Sequence, residues 1–270
     1  MIVRALRSAL VWALALLWLM PVYLMVVNSM TPAKQYSGNP AWMPTGLAFF
    51  QNLSTAWTDS GFGDGLLNSL MYSLSAAALA VLAAALAGYA VVIMPLKRPT
   101  LWFWLIYLGT LLPLQIFLAP LFKAYVAVGL YDTNLGMILI YAAICVPFAF
   151  FIVRNYLSTL PTEITEAAQL DGASWATVFW RIHFPLIRSS LLAAFIFQFT
   201  WVWNDLLFGI TLTTSPDRRP VMAALAEVSG GFASLGPPVT LAAAIVASFP
   251  TVVLFIACQR FFVSSLKAVG

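Results

Sequence analysis

The chain has 270 residues, 62% of them hydrophobic and 8% charged, with a formal net charge of +4. A soluble domain carries about 25% charged residues, so this composition excludes one. The apolar residues fall in runs that reach the roughly 20 residues a membrane-spanning helix needs, and the fold class is all-α: a polytopic membrane protein with six transmembrane helices.

In chain order, the first span covers about Ala9 to Val27. Arg4 and Arg7 before it suit a secretory signal peptide, but the apolar run is too long and no small-residue cleavage site follows, so it reads as an uncleaved span. A loop from Asn28 to Asn68, rich in Pro, Gly, Ser, Thr and Asn, leads to the second span, Ser69 to Met94. Trp42 and Trp57 in that loop suit interfacial anchors. The second span is crowded with small residues: Ser75 to Ala78, Ala83 to Ala85 and Gly88. Small residues let helices approach closely in lipid, which makes this span central to a bundle or to a subunit interface.

The third span, Leu101 to Leu121, is interrupted by Pro113. The fourth, Gly136 to Val153, contains Pro147. The fifth runs from Leu191 to Leu212, and the sixth, Val239 to Phe262, contains Pro250. Each proline removes a backbone hydrogen bond that neighbours must compensate. A loop from Thr213 to Pro238 carries Pro216-Asp217-Arg218-Arg219-Pro220 and the pair Gly230-Gly231. Cys145 and Cys258 sit in different spans without metal-type spacing and read as small buried hydrophobes.

Lys and Arg set the orientation. One set of segments holds Arg4, Arg7, Lys97, Arg98, Arg154, Arg181, Arg188, Arg260 and Lys267; the other holds only Lys34, Lys123, Arg218 and Arg219. The richer side is cytoplasmic, so both termini are expected there. The positive charge is thus a topology signal and not a nucleic-acid footprint.

Between the fourth and fifth spans lies a polar island on the cytoplasmic side. Thr162 is placed to cap a short helix whose first turn holds Glu163 and Glu166, favourable at the positive end of the helix dipole. Gly172 supplies its stop. Ser174 is placed to cap a second helix toward Arg181, which Pro185 would end. Ile164, Ala167, Ala168 and Asp171 share one side of the first helix. The two alanines keep it slim enough for a partner groove; an ordinary interfacial helix is the competing reading. His183, the lone histidine, reads as interfacial or partner-facing.

The island carries Glu166-Ala167-Ala168, three residues, Gly172, nine residues, Ile182, one residue, then Phe184-Pro185. This resembles the signature of ABC importer permeases, with Phe184 standing where leucine is usual. Leu170-Asp171-Gly172-Ala173 is similar to the wording of the carbohydrate branch. Further matches are Asn68-Ser69, Gly88-Tyr89-Ala90, Gly129-Leu130 with Thr133, Pro147-Phe148, and Trp203-Asn204-Asp205. The tail, from Gln259-Arg260 through Phe262-Val263 to Lys267 and Gly270, completes the set. Together they resemble the six-span partner in the heterodimer of maltose-type carbohydrate permeases, with a tail shorter than usual.

The resemblance implies one transmembrane domain over 1–270, with a core at about 66–262 and a cytoplasmic coupling region at about 155–188. It implies a bacterial or archaeal cytoplasmic (inner) membrane, a second permease subunit, two ABC ATPase subunits and an extracytoplasmic solute-binding protein. The cargo would be a sugar or sugar-like solute. Coupling to the ATPase falls on Glu163, Glu166, Ala167, Ala168, Leu170, Asp171, Gly172 and Ala173. No phosphate-binding loop is present, so ATP and Mg would be used by the partners and the chain itself would be non-catalytic, with no cofactor or metal of its own.

Gln115, Gln198, Trp203, Asn204 and Asp205 are candidates for the solute pathway. Asp205 is the only acidic residue placed in a span, and it suits a structural cap as well as a pathway. Glycerol phosphates and polyols are alternative cargoes. A secondary transporter would want more buried carboxylates or repeated halves. An intramembrane enzyme would need a metal-binding His pair, a Gly-x-Ser-x-Gly element or paired carboxylates, and none is found.

Overall fold

The structure is a computed structural model and describes residues 2–230 and 235–267. Among these residues every regular element is helical. The elements are α1 (Ile2–Ser29), α2 (Phe49–Asp59), α3 (Phe62–Val92), α4 (Pro99–Tyr107), α5 (Leu118–Ala127), α6 (Asn134–Leu157) and α7 (Glu163–Leu170). They continue with α8 (Trp175–Val178), α9 (Phe184–Leu186), α10 (Arg188–Trp203), α11 (Leu207–Leu212), α12 (Val221–Gly230) and α13 (Pro237–Lys267).

Four segments are long and apolar enough to cross a membrane as single helices: Leu6–Ser29, Phe62–Val92, Asn134–Leu157 and Pro237–Cys258. Two further apolar helix pairs are bent: the first makes up the third span, and in the second only α10 belongs to the fifth span, the half before it being part of the polar island. Pro99–Thr110 and Leu114–Ala127 meet at 84°, and Trp175–Leu186 and Arg188–Trp203 meet at 74°. The third predicted span is therefore not one straight helix. Pro113 takes an extended conformation at the break, as its fixed ring and missing N–H favour. The fifth ends early, at Trp203, and resumes as the separate α11.

At the centre stands α3, packed chiefly on α6 and α10. Its small residues explain the position. Ala76, Ala77, Ala80, Ala84 and Ala85 are fully or almost fully buried, while Leu74, Leu79, Leu82 and Leu86 on its other side are exposed. A Cβ added at Gly88 would lie 3.3 Å from Leu157 Cδ1 and 3.5 Å from the backbone nitrogen of Arg154. The helix axes approach this closely because the residue there has no side chain. α1 lies outside, alongside α13, with Trp12, Leu16, Leu17 and Trp18 facing outward.

At the end opposite α7, side chains tie the loops to the bundle. Asn68 Nδ2 donates to the carbonyls of Asp217 (2.9 Å) and Arg219 (3.1 Å). Tyr72 donates to the carbonyl of Arg218 (2.8 Å), and Ser69 Oγ accepts from the Val221 amide (2.7 Å). Asp132 accepts from the amides of Thr214 (2.9 Å) and Ser215 (3.1 Å) and from the Ser215 hydroxyl. Burial works to raise the Asp132 pKa, but these hydrogen bonds hold its carboxyl below the ordinary range.

The connecting loops are more ordered than their composition suggests. The first contains α2; Trp57 packs one edge against Phe62, and both Trp57 and Trp42 stay exposed. The third contains α12, an apolar helix laid against α3 and α13. Gly230 closes α12, and Gly231 lies outside the described residues. The tail is helical to Lys267; Gly270 lies outside the described residues. Cys145 and Cys258 are both free and buried.

Candidate functional site: the island between α6 and α10

α7 projects beyond α6. Thr162 does not cap it: its backbone is already helical, its side chain makes no capping bond, and its carbonyl accepts from the Thr165 and Glu166 amides. The far end follows the expected chemistry closely. Gly172 has φ +79°, Ala173 N donates to Ala168 O (3.0 Å) and Gly172 N donates to Gln169 O (2.9 Å). These two bonds form a Schellman motif, which needs the left-handed residue that glycine supplies. No atom lies within 4 Å of a Cβ built at Gly172, so conformation alone demands the glycine.

Ser174 caps the second helix, its Oγ accepting from Thr177 N (3.2 Å). That helix does not stop at Pro185. Residues Phe179–His183 form a π turn, and the chain stays helical to Leu186 before turning at Ile187. A widened turn just ahead of proline relieves the clash of its ring with the preceding carbonyls.

The faces of α7 divide sharply. Thr165 and Ala168 are buried against the body of the protein, and Ile164 is half-buried. Glu163, Glu166, Ala167, Leu170 and Asp171 face outward, with Leu170 90% exposed. Among the described residues, none of the three carboxylates on this face has an ion pair or hydrogen bond through its side chain. This face therefore carries one large aliphatic tip among unpaired acids.

The buried face leads straight to the central helix. Thr165 Oγ1 lies 2.9 Å from His183 Nε2, and the His183 ring packs 5.3 Å from that of Tyr89 in α3. Tyr89 also packs its ring, tilted, 5.1 Å from that of Phe179 and donates its hydroxyl to Trp175 O at 3.0 Å. His183 is thus fully buried, not facing a partner. Its i−4 and i+4 neighbours, Phe179 and Ile187, are both buried apolar residues, and that spacing was the available signal. Burial lowers its pKa and keeps the ring neutral. Arg154 lays its guanidinium 5.0 Å over the Phe103 ring and closes the other side of the same cluster.

The residues singled out within the membrane scatter. Trp203 is buried, and its indole donates to Ala247 O of α13 (2.9 Å). Asn204 is exposed and bonds back to Thr200 O (2.7 Å). Asp205 Oδ2 accepts from Tyr141 (2.9 Å) and from the amides of Phe208 (3.0 Å) and Gly209 (3.3 Å). That is the geometry of an N-terminal cap on α11. Gln115 is exposed at the break in the third span. Gln198 is buried and lines a cavity between α6, α10 and that break.

The chain is similar to known proteins over most of its length. The osmoprotective compounds uptake permease protein of Synechocystis sp. is 31% identical over 262 residues, covering 94% of this chain and 88% of the relative. The sn-glycerol-3-phosphate transport system permease protein of Yersinia pestis is 30% identical over 261 residues, 93% of this chain and 91% of the relative. A chain in the crystal structure of a bacterial ABC transporter involved in import of the acidic polysaccharide alginate superposes with a TM-score of 0.83. It covers 97% of this chain and 96% of that one at 17% identity, a likeness of fold alone. Residues 80–267 match the family described as binding-protein-dependent transport system inner membrane component. The family match spans α7 and the Tyr89–His183 cluster that holds it, and the chain is a membrane component of a binding-protein-dependent ABC importer.

Proposed function

We propose that this chain forms half of the pathway for a sugar or sugar-like solute, with residues 1–270 acting as one transmembrane domain and α7 as its handle for an ATPase. The observation that carries this reading is the two-faced α7. Its outward side presents Glu163, Glu166, Ala167, Leu170 and Asp171, and on its inward side Thr165 is hydrogen-bonded to His183, whose ring packs against Tyr89 of the central helix. A partner that moves α7 therefore moves α3, and a rigid element of this kind transmits a switch between two arrangements of the bundle.

In this reading ATP and Mg belong to two ATPase subunits, whose clefts receive α7 here and its counterpart on a second permease. An extracytoplasmic binding protein delivers solute at the opposite end, and both termini lie in the cytoplasm. Glycerol phosphate and polyols are the alternative cargoes; the named substrates of the relatives include both an osmoprotectant class and sn-glycerol 3-phosphate.

The test uses the assembled importer in proteoliposomes. Glu166→Lys reverses the charge on the exposed face without touching the buried one. It is expected to reduce solute-stimulated ATP hydrolysis at least tenfold, with the chain still inserted in the membrane. Undiminished stimulation in an assembled complex carrying this variant would remove the coupling role.

A further inference from the structure

A shallow apolar groove of about 280 Å³ runs between α3 and α10. Ala78 and Leu82 of α3 line one side and Leu191, Leu192 and Phe195 of α10 the other; Phe184, just before the bend at Ile187, completes it. Leu82 lies seven residues, about 10 Å, from Tyr89, so the groove belongs to the half of the bundle nearer α7. No polar side chain enters the lining. In a bilayer such a groove has no hydrophobic drive of its own, because lipid tails are as apolar as leucine. It offers shape to a hydrocarbon chain, and the groups beside it select the occupant.

Arg188 follows the bend and opens α10. Leu191, Leu192 and Phe195 stand three, four and seven residues further on, so Arg188 shares the helix face that lines the groove. A cation at that end meets the positive pole of the helix dipole, and no acidic residue in the first turn offsets it. Arg181 lies three residues before Phe184, and the exposed ring of Trp180 packs 5.1 Å from that of Phe184. Both arginines are exposed, and among the described residues neither makes an ion pair or a side-chain hydrogen bond. The segment that carries Trp180 and Arg181 meets α10 at 74°. With α10 crossing the bilayer, that segment runs along the headgroup layer, where tryptophan and arginine are the usual anchors.

We propose that this groove binds one anionic phospholipid from the leaflet at the α7 end, its phosphate held by Arg188 and Arg181 and an acyl chain laid between α3 and α10. The planar fork of a guanidinium matches phosphate oxygens, and its long stem reaches from the helix to the headgroup. A zwitterionic lipid would leave the two charges without net compensation. A free anion would leave the groove unused.

The complete importer, stripped of lipid in detergent, is titrated with phosphatidylglycerol and, as the zwitterionic control, phosphatidylcholine; retained lipid is counted by native mass spectrometry. Preferential retention of phosphatidylglycerol is expected. Its half-saturating concentration is expected to rise about fivefold for Arg188→Gln or Arg181→Gln and roughly 25-fold for both together. Ala78→Phe fills the groove from an exposed position; it is expected to lower retention too, and carries the test should the arginine variants fail to assemble. A benzophenone attached through Leu82→Cys is expected to crosslink to lipid in vesicles containing phosphatidylglycerol. Retention unmoved by every variant would overturn the site, and equal retention of phosphatidylcholine would overturn the role of charge. Displacement of the lipid by inorganic phosphate would leave a bare anion site and overturn the lipid assignment. Crosslinking from Leu82→Cys to the second permease alone would give the groove to that subunit instead.

Discussion

At the scale of single residues, the contacts around His183 decide how firmly the island is held. Thr165 Oγ1 is its one hydrogen-bond partner on Nε2, and Nδ1 is buried without any. Thr165→Val would leave both ring nitrogens unpaired. The expected loss is about 1–3 kcal/mol, read as a lower melting temperature of the purified protein. The pH dependence has a definite sign. Burial lowers the His183 pKa below 6.5, so the unfolded chain binds the proton more readily. Stability from this group is complete above the unfolded value and declines as pH falls through it toward the lowered folded value. Melting temperature should therefore fall on acidification from pH 7.5 to 5.5, and His183→Gln should flatten that fall; an equal slope in the variant would discount His183 as the source. Gly172→Ala tests conformation without contact, because nothing lies near its Cβ. A left-handed alanine costs roughly 1–2 kcal/mol, so the variant should unfold or reorient the end of α7 and weaken ATPase binding in a pull-down.

At the scale of elements, close approach of α3 and α6 is the feature most exposed to a single change. Gly88→Leu would drive a branched side chain into Leu157 and the Arg154 backbone, where only part of the strain can relax. Overpacking of this kind costs about 1–3 kcal/mol and is expected to lower both the melting temperature and the yield of assembled complex. Asp205 belongs to the same scale. As the cap of α11 its replacement by Ala should cost about 1–2 kcal/mol of stability and leave solute preference unchanged, whereas a shift in preference would place it in the pathway. The sequence shows the small residues of α3, the glycine stop of α7 and the Ser174 cap because each depends on neighbours a few positions away. It marks the interruption at Pro113 but not its 84° angle, nor the bend at Ile187, the π turn before Pro185, or α12, because these depend on what packs across the bundle. Trp203-Asn204-Asp205 is legible as important, yet its three side chains point to three different partners, and only the folded chain separates them.

At the scale of the whole molecule, the two ends differ in kind. The α7 end presents unpaired acids on an exposed helix, and electrostatic contact with a partner there is screened by salt. Dissociation of the ATPase should consequently rise between 0.05 and about 0.5 M salt, and Glu163→Gln with Glu166→Gln should blunt that dependence. Insensitivity of the unmodified complex to salt would assign the contact to Leu170 and Ala167. The opposite end is closed by hydrogen bonds within the chain.

Those bonds also set a timetable. Asn68 and Asp217 are 149 positions apart, so the ties at the start of α3 cannot form until the fifth crossing has been synthesised. At about 5–20 residues per second that interval is roughly 7–30 s. Through it Asn68 and Ser69 wait with their polar groups unclaimed at the edge of the bilayer, while Tyr72 already has Asn134 as a partner. α3, the second crossing to be made, is among the last to be locked.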